Sequence, residues 1–114
     1  MPDPAPTDGS LMVQLAQWGT MLGLQDAGAV IFADEFDAEI ADHRDQPIRT
    51  VLNWGETLGT MTKNHLISEQ LILDWIWVAG LWDRVGPAAR KAREQSGEPR
   101  LYENFETLAS RQPA

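Results

Sequence analysis

The chain has 114 residues, no cysteine and a formal net charge of −8, so one self-sufficient domain is possible, without disulfides or thiolate chemistry. Residues 1–83 hold 13 acidic and 3 basic side chains, whereas residues 84–114 hold 4 acidic and 6 basic ones. The acidic excess repels phosphate backbones, so we expect no nucleic-acid binding.

The start of the chain shows no basic region followed by an apolar stretch, so a secretory signal is not expected. The longest apolar run, residues 71–82, is interrupted by Asp74. It is also shorter than the roughly 20 residues that a membrane span needs. We therefore expect a cytoplasmic protein that makes no membrane contact.

Residues 1–9 contain three prolines and two aspartates and predict a disordered tail, followed by a single helical domain over residues 10–112. Leu11, Leu15, Trp18 and Leu22 recur at helical spacing and predict a first helix that ends near Gly23.

A second helix is predicted from Asp26 to the residue before Pro47, because proline disfavours helical geometry in the residue that precedes it. Pro47, Pro87 and Pro99 each precede a helical pattern and are predicted to start a helix, and Gly97 is predicted to end the helix that follows Pro87. The helix after Pro47 carries Gly55 and Gly59 on its apolar stripe, which predicts close packing against another helix.

Another helix is predicted near residues 69–83, where apolar side chains lie nearly all round the helical wheel. We expect this Trp-rich segment to be the central helix. No segment alternates as a half-buried strand would. The sequence therefore predicts an all-α fold, a small bundle of about five to six helices.

The C-terminal residues Pro99 to Glu106 read Pro-Arg-Leu-Tyr-Glu-Asn-Phe-Glu, and Leu108-Ala109 follows. With the stretch Val51 to Glu56 and the Trp-bearing segment 71–82, this ending resembles an uncharacterised bacterial helical family, domain of unknown function 4760. The likeness covers mainly residues 45–110. It implies an all-α fold and brings no known activity, cofactor or catalytic residue.

Glu35, Glu39 and His43 are spaced by four residues, so a helix would stack them along one edge. Carboxylate-plus-histidine helices can hold metal ions, although di-iron bundles use an i, i+3 Glu-x-x-His pattern on two helices. A solvated acidic face with an i, i+4 Glu39–His43 pair explains the same residues. No nucleophile elbow, phosphate loop or dinucleotide fingerprint is present, so no catalytic residue and no cofactor are predicted.

Trp54 and Trp77 lie off the main apolar stripes of their helices, and Met61 and Leu81 lie near them on the helical wheel. Because Trp and Met are enriched at the centres of interfaces, these four residues are the predicted protein-interaction surface. A core that uses both faces of each helix is the competing interpretation. The sequence favours a non-enzymatic interaction or self-association module, with a protein partner or a homo-oligomer. The alternative is a metal- or small-ligand-binding bundle, with or without enzymatic activity.

Overall fold

The computed structural model describes residues 3–113, and within them the fold is all-α, as predicted. Six helices form the domain and no strand occurs in this range. They are α1 (Pro6–Leu22), α2 (Leu24–Ile31), α3 (Gln46–Lys63), α4 (Glu69–Trp75), α5 (Val78–Ser96) and α6 (Glu103–Ser110).

The centre of the bundle is α3, not the Trp-rich segment near 69–83. Helices α2, α5 and α6 all pack against α3, and its buried side chains point in several directions around the helix axis. Six of the largest fully buried side chains come from α3 and α5: Val51, Leu52, Trp54, Leu58, Val78 and Val85. A helix enclosed by neighbours on several sides buries residues beyond a single stripe.

Helix α1 begins at Pro6, within the predicted tail of residues 1–9. The Asp8 carboxylate accepts a hydrogen bond from the Ala5 backbone N–H at 2.6 Å. It also accepts one from the Ser68 N–H at 3.2 Å and is buried there. Residues 6–9 are therefore part of the fold, while Met1 and Pro2 of the predicted tail lie outside the described residues.

The predicted second helix is wrong beyond Ile31, because residues 32–45 form a series of turns. Aspartate side chains in this segment bind the backbone two residues ahead. Asp37 accepts from Glu39 N–H at 3.0 Å, and Asp42 accepts from Arg44 N–H at 2.8 Å. Such local bonds compete with the helical hydrogen-bond ladder, and the apolar spacing alone did not reveal them.

The predicted helix near 69–83 is interrupted at Ile76 and Trp77, where Ile76 is extended with φ −118° and ψ 134°. The break redirects the chain, so that α4 buries Ile72 whereas α5 buries Val78 and Trp82. In a straight helix Ile72 would lie off the stripe that holds Val78 and Trp82, whereas the break lets all three reach the core. The prediction failed because the apolar pattern reads continuously through the break.

The side chain of Gln112 occupies this break. Its Nε2 donates to the carbonyls of Leu73 at 3.0 Å and Ile76 at 2.8 Å, and its Oε1 accepts from the Ala79 N–H at 2.7 Å. These are carbonyls at the end of α4 and an N–H at the start of α5, groups that have no partner within their own helix. One amide side chain thus serves both helix ends.

Replacing Gln112 with alanine should lower the free energy of unfolding by about 2 kcal/mol, since it removes three partly buried hydrogen bonds. Urea denaturation followed by circular dichroism measures the loss. Ser110→Ala is the control, because its exposed hydroxyl only donates to the nearby Thr107 carbonyl. A Gln112→Ala midpoint equal to that of the control would contradict this role.

Helix α5 runs through Pro87, so the predicted helix start at this residue is wrong. Proline removes the hydrogen bond to the carbonyl four residues earlier, which belongs to Asp83. Because Asp83 is exposed, water can bind that carbonyl. Gly97, with φ 72°, ends the helix as predicted.

The last helix begins at Glu103 rather than at Pro99, and residues 98–102 form a turn. Tyr102 adopts φ 62°, an uncommon backbone conformation for a non-glycine residue. Arg93 holds the turn in place: its Nε donates to the Leu101 carbonyl at 2.8 Å, and its Nη2 lies 2.8 Å from the Glu106 carboxylate. A tertiary contact therefore delays the helix start.

The prediction of close packing at Gly55 and Gly59 is confirmed. A Cβ at Gly55 would overlap the Phe105 ring, and a Cβ at Gly59 would overlap the Asn104 backbone. Between them, the Glu56 carboxylate accepts from the Phe105 N–H and from Asn104 Nδ2, both at 2.9 Å. The segments 51–56 and 99–106 therefore meet across the α3–α6 contact. The segment 51–56 supplies a glycine gap for the Phe105 ring and a carboxylate for an orphan N–H of α6.

Candidate interaction surface

Trp54, one of the four predicted surface residues, is instead a core residue. Only 1% of it is exposed. Its indole Nε1 donates to the Leu15 carbonyl at 3.0 Å, beside Gly19, which leaves room for the ring. Trp75 packs edge-on against it with ring centroids 5.7 Å apart. The prediction failed because α1 covers the side of α3 that the helical wheel predicted to be exposed.

Met61 and Leu81 are partly buried and pack against the core. Neither is among the large apolar side chains that are mainly exposed. They lie at the edge of the core and do not form an exposed apolar surface with Trp54. Of the four predicted residues, Trp77 alone presents a large aromatic surface to solvent, with 64% of it exposed.

Trp77 lies at the break between α4 and α5, where it is the N-cap residue of α5. One face of its indole covers Gly80, where a Cβ would overlap the ring. The indole stacks on Phe32, with ring centroids 6.0 Å apart and an interplanar angle of 12°. The guanidinium of Arg84 lies 5.7 Å from the centre of the Phe32 ring. We call Phe32, Trp77 and Arg84 the aromatic surface.

The aromatic surface has a defined geometry because each member is held by another. The ring of Trp77 is supported by Gly80 and Phe32, and Phe32 lies between Trp77 and Arg84. Exposed carboxylates flank it along the chain: Asp34 follows Phe32 by two residues, and Asp83 precedes Arg84. The cation Arg84 is thus part of the aromatic surface, and two exposed carboxylates are close to it in the sequence.

Neither Phe32 nor Arg84 was predicted to be part of a surface. The predicted second helix includes Phe32, whereas α2 ends one residue earlier. The side chains of Phe32 and Trp77 are 45 positions apart in the sequence, so no local spacing could have paired them. The small residue three positions after Trp77, Gly80, was the available signal, because it gives an indole room to lie flat on a helix.

Glu35, Glu39 and His43 lie in the 32–45 turns and do not share a helix edge. Within residues 3–113, no three His, Asp or Glu side chains are grouped as a metal ion would require. His43 Nε2 lies 3.2 Å from Gln95 Oε1, and the carbonyl of Glu39 accepts from Lys91 Nζ. These contacts attach the turns to α5.

Asp42 and Arg44 form an ion pair in the same segment, with Arg44 Nη2 2.7 Å from Asp42 Oδ2. Hydrogen bonds from the Arg44 side chain and backbone hold the pKa of Asp42 well below its usual range. Near α6, burial raises the pKa of the Tyr102 hydroxyl, and the Glu56 carboxylate adds to the effect. Neither group lies in a cluster that suggests acid–base chemistry.

Comparison with known proteins identifies a family for this chain but no individual similar protein. The model of a family described as Domain of unknown function (DUF4760) matches residues 13–112. No curated protein and no solved structure matches the chain. Among residues 3–113, no helix has the length and apolarity needed to cross a membrane. Because the family model covers most of the sequence, the chain belongs to the DUF4760 family.

Proposed function

We propose that this protein is a non-enzymatic helical module that self-associates through the aromatic surface. The observation that carries the proposal is the exposure of Trp77, held flat against Gly80 and Phe32. Trp, Phe and Arg are the residue types enriched at interfaces, and Trp and Arg dominate their binding energies. A fixed ring also loses little side-chain entropy when it is covered.

The charges at the aromatic surface favour a second copy as the partner. In a two-fold contact the same patch meets itself, so each charged residue can pair with its opposite in the other copy. Arg84 supplies the cation, and the exposed carboxylates of Asp34 and Asp83 supply the anions.

Trp77→Ala should convert the associated species into a monomer and leave the helical content unchanged. The substitution removes the most exposed ring among the described residues, and the Trp77 side chain is not part of the buried core. Native mass spectrometry and sedimentation velocity across a concentration series measure association, and circular dichroism measures helicity. Leu66→Ala is the matched control, because Leu66 is similarly exposed at 59% and is not part of the aromatic surface.

Two results would contradict self-association at this surface. One is a wild-type chain that remains monomeric throughout the concentration series. The other is a Trp77→Ala variant that associates as strongly as wild type and Leu66→Ala.

A further inference from the structure

A groove of about 540 Å³ lies beside the 32–45 turns and the start of α3. Its apolar lining comes from Val30, Phe36 and Ile40, together with parts of residues 46–48. Ile40 is 79% exposed and Val30 is 46% exposed. An isoleucine this open, on the wall of a concave surface, is apolar area that the protein's own core does not use.

The backbone that carries these side chains is fixed to the rest of the fold. Ala41, next to Ile40, is buried in the core. Lys91 of α5 donates to the Glu39 carbonyl, and His43 contacts Gln95. The exposed apolar side chains are therefore presented on an anchored segment.

The charges that line the groove have one sign. Glu35, Asp37 and Asp45 line it, and no Lys or Arg does so among the described residues. The two nearest cations along the chain already have partners, since Arg44 pairs with Asp42 and Arg49 donates to the Arg44 carbonyl. The groove therefore combines an apolar floor with carboxylates that no cation lining it neutralises.

We propose that this groove binds a basic amphipathic helix of another protein. Apolar side chains at i, i+3 or i+4 spacing would contact Ile40 and Phe36, and Lys or Arg beside them would meet the three carboxylates. The charge complementarity would also speed association at low ionic strength. The site is separate from the aromatic surface, because neither Phe32 nor Trp77 lines it.

A second copy of this chain fits the groove poorly. Two such grooves facing each other would bring carboxylates together. The most basic segment of the chain, in α5, is already in use: Arg90 and Arg93 lie over the Trp82 ring, and Lys91 contacts the Glu39 carbonyl. The cations and apolar surface that the groove requires must therefore come from another protein.

The test uses a fluorescently labelled helical peptide of leucine and lysine, designed with one apolar and one basic face, and fluorescence anisotropy of the full chain. The Ile40→Ser variant should weaken binding at least tenfold, because it removes an exposed apolar side chain that the peptide would cover, without changing the charge. Met21→Ser is the matched control: Met21 is 83% exposed and lies in α1, outside the groove. It should bind like wild type.

Further variants and probes identify the occupant. Glu35→Gln combined with Asp45→Asn should weaken binding and flatten its salt dependence, and a leucine–glutamate peptide should not bind. Trp77→Ala should bind the basic peptide normally, so loss of self-association would not affect this result.

The proposal is overturned by equal affinity of Ile40→Ser and Met21→Ser, or by the absence of saturable binding. It is also overturned if Ile40→Ser abolishes association between copies of the chain, or binding to zwitterionic lipid vesicles, while peptide affinity is unchanged.

Discussion

Trp54→Ala should lower the free energy of unfolding by about 3–5 kcal/mol, the usual cost of truncating a buried aromatic residue. The substitution empties a site that is enclosed by α1 and Trp75, and it removes the indole hydrogen bond to Leu15. Small domains have total stabilities of about 5–15 kcal/mol, so a large fraction of the variant should be unfolded at moderate urea concentrations. Urea denaturation monitored by circular dichroism measures the effect.

Trp77→Ala is the informative comparison, because it removes the same side chain from an exposed position. Measured at concentrations where wild type is monomeric, it should cost less than about 1 kcal/mol. Trp54→Phe should lie between the two alanine variants, since it keeps a ring and loses the hydrogen bond donor. Equal midpoints for Trp54→Ala and Trp77→Ala would show that Trp54 is not the core residue described here.

Gly59→Ala should be the most damaging single-methyl substitution in the α3–α6 contact. The new Cβ would overlap the carbonyl and amide of the Asn104–Phe105 peptide, which are backbone atoms and cannot rotate away. The two helices must therefore separate, and the carboxylate of Glu56 would then lose its bond to the Phe105 N–H. We expect a loss of about 3 kcal/mol, the upper end for overpacking, even after the roughly 1 kcal/mol gain in helix propensity.

The same substitution at Gly28 should have the opposite sign. Gly28 lies in α2, and no atom lies within 4 Å of a Cβ built there. Alanine at this position should stabilise the protein by up to about 1 kcal/mol through helix propensity. Thermal denaturation of both variants measures the two changes in stability. Helix propensity favours alanine at both positions, so it cannot by itself give changes of opposite sign. A Gly59→Ala melting temperature at or above that of wild type would contradict the close contact.

The sequence was most informative where one local rule decided the outcome. The stripe of Leu11, Leu15, Trp18 and Leu22 predicted α1, and all four residues pack in or against the core. Gly23 and Gly97 were expected at helix ends, and both adopt positive φ there. The spacing of Gly55 and Gly59 predicted a close helix approach, which needs no knowledge of the approaching partner.

The candidate site was predicted less well, because exposure depends on which neighbours cover a residue. On the helical wheel Trp54 and Trp77 looked alike, yet α1 buries the first and leaves the second open. The metal hypothesis depended on a helix through residues 35–43, and the aspartate turns replace that helix. A residue distant in sequence decided the first outcome, and local side-chain hydrogen bonds accompany the second.

The sequence by itself determined that this protein is all-α, where α1 and α3 lie, and which glycines permit close packing. These features depend on periodicity and on backbone preferences within a few residues. Tertiary structure alone decided the break between α4 and α5, the late start of α6 and the exposure of Trp77. The first depends on the amide of Gln112 and the second on the guanidinium of Arg93. Such groups reach helix ends only after the chain has folded, so their effect cannot be read from local spacing.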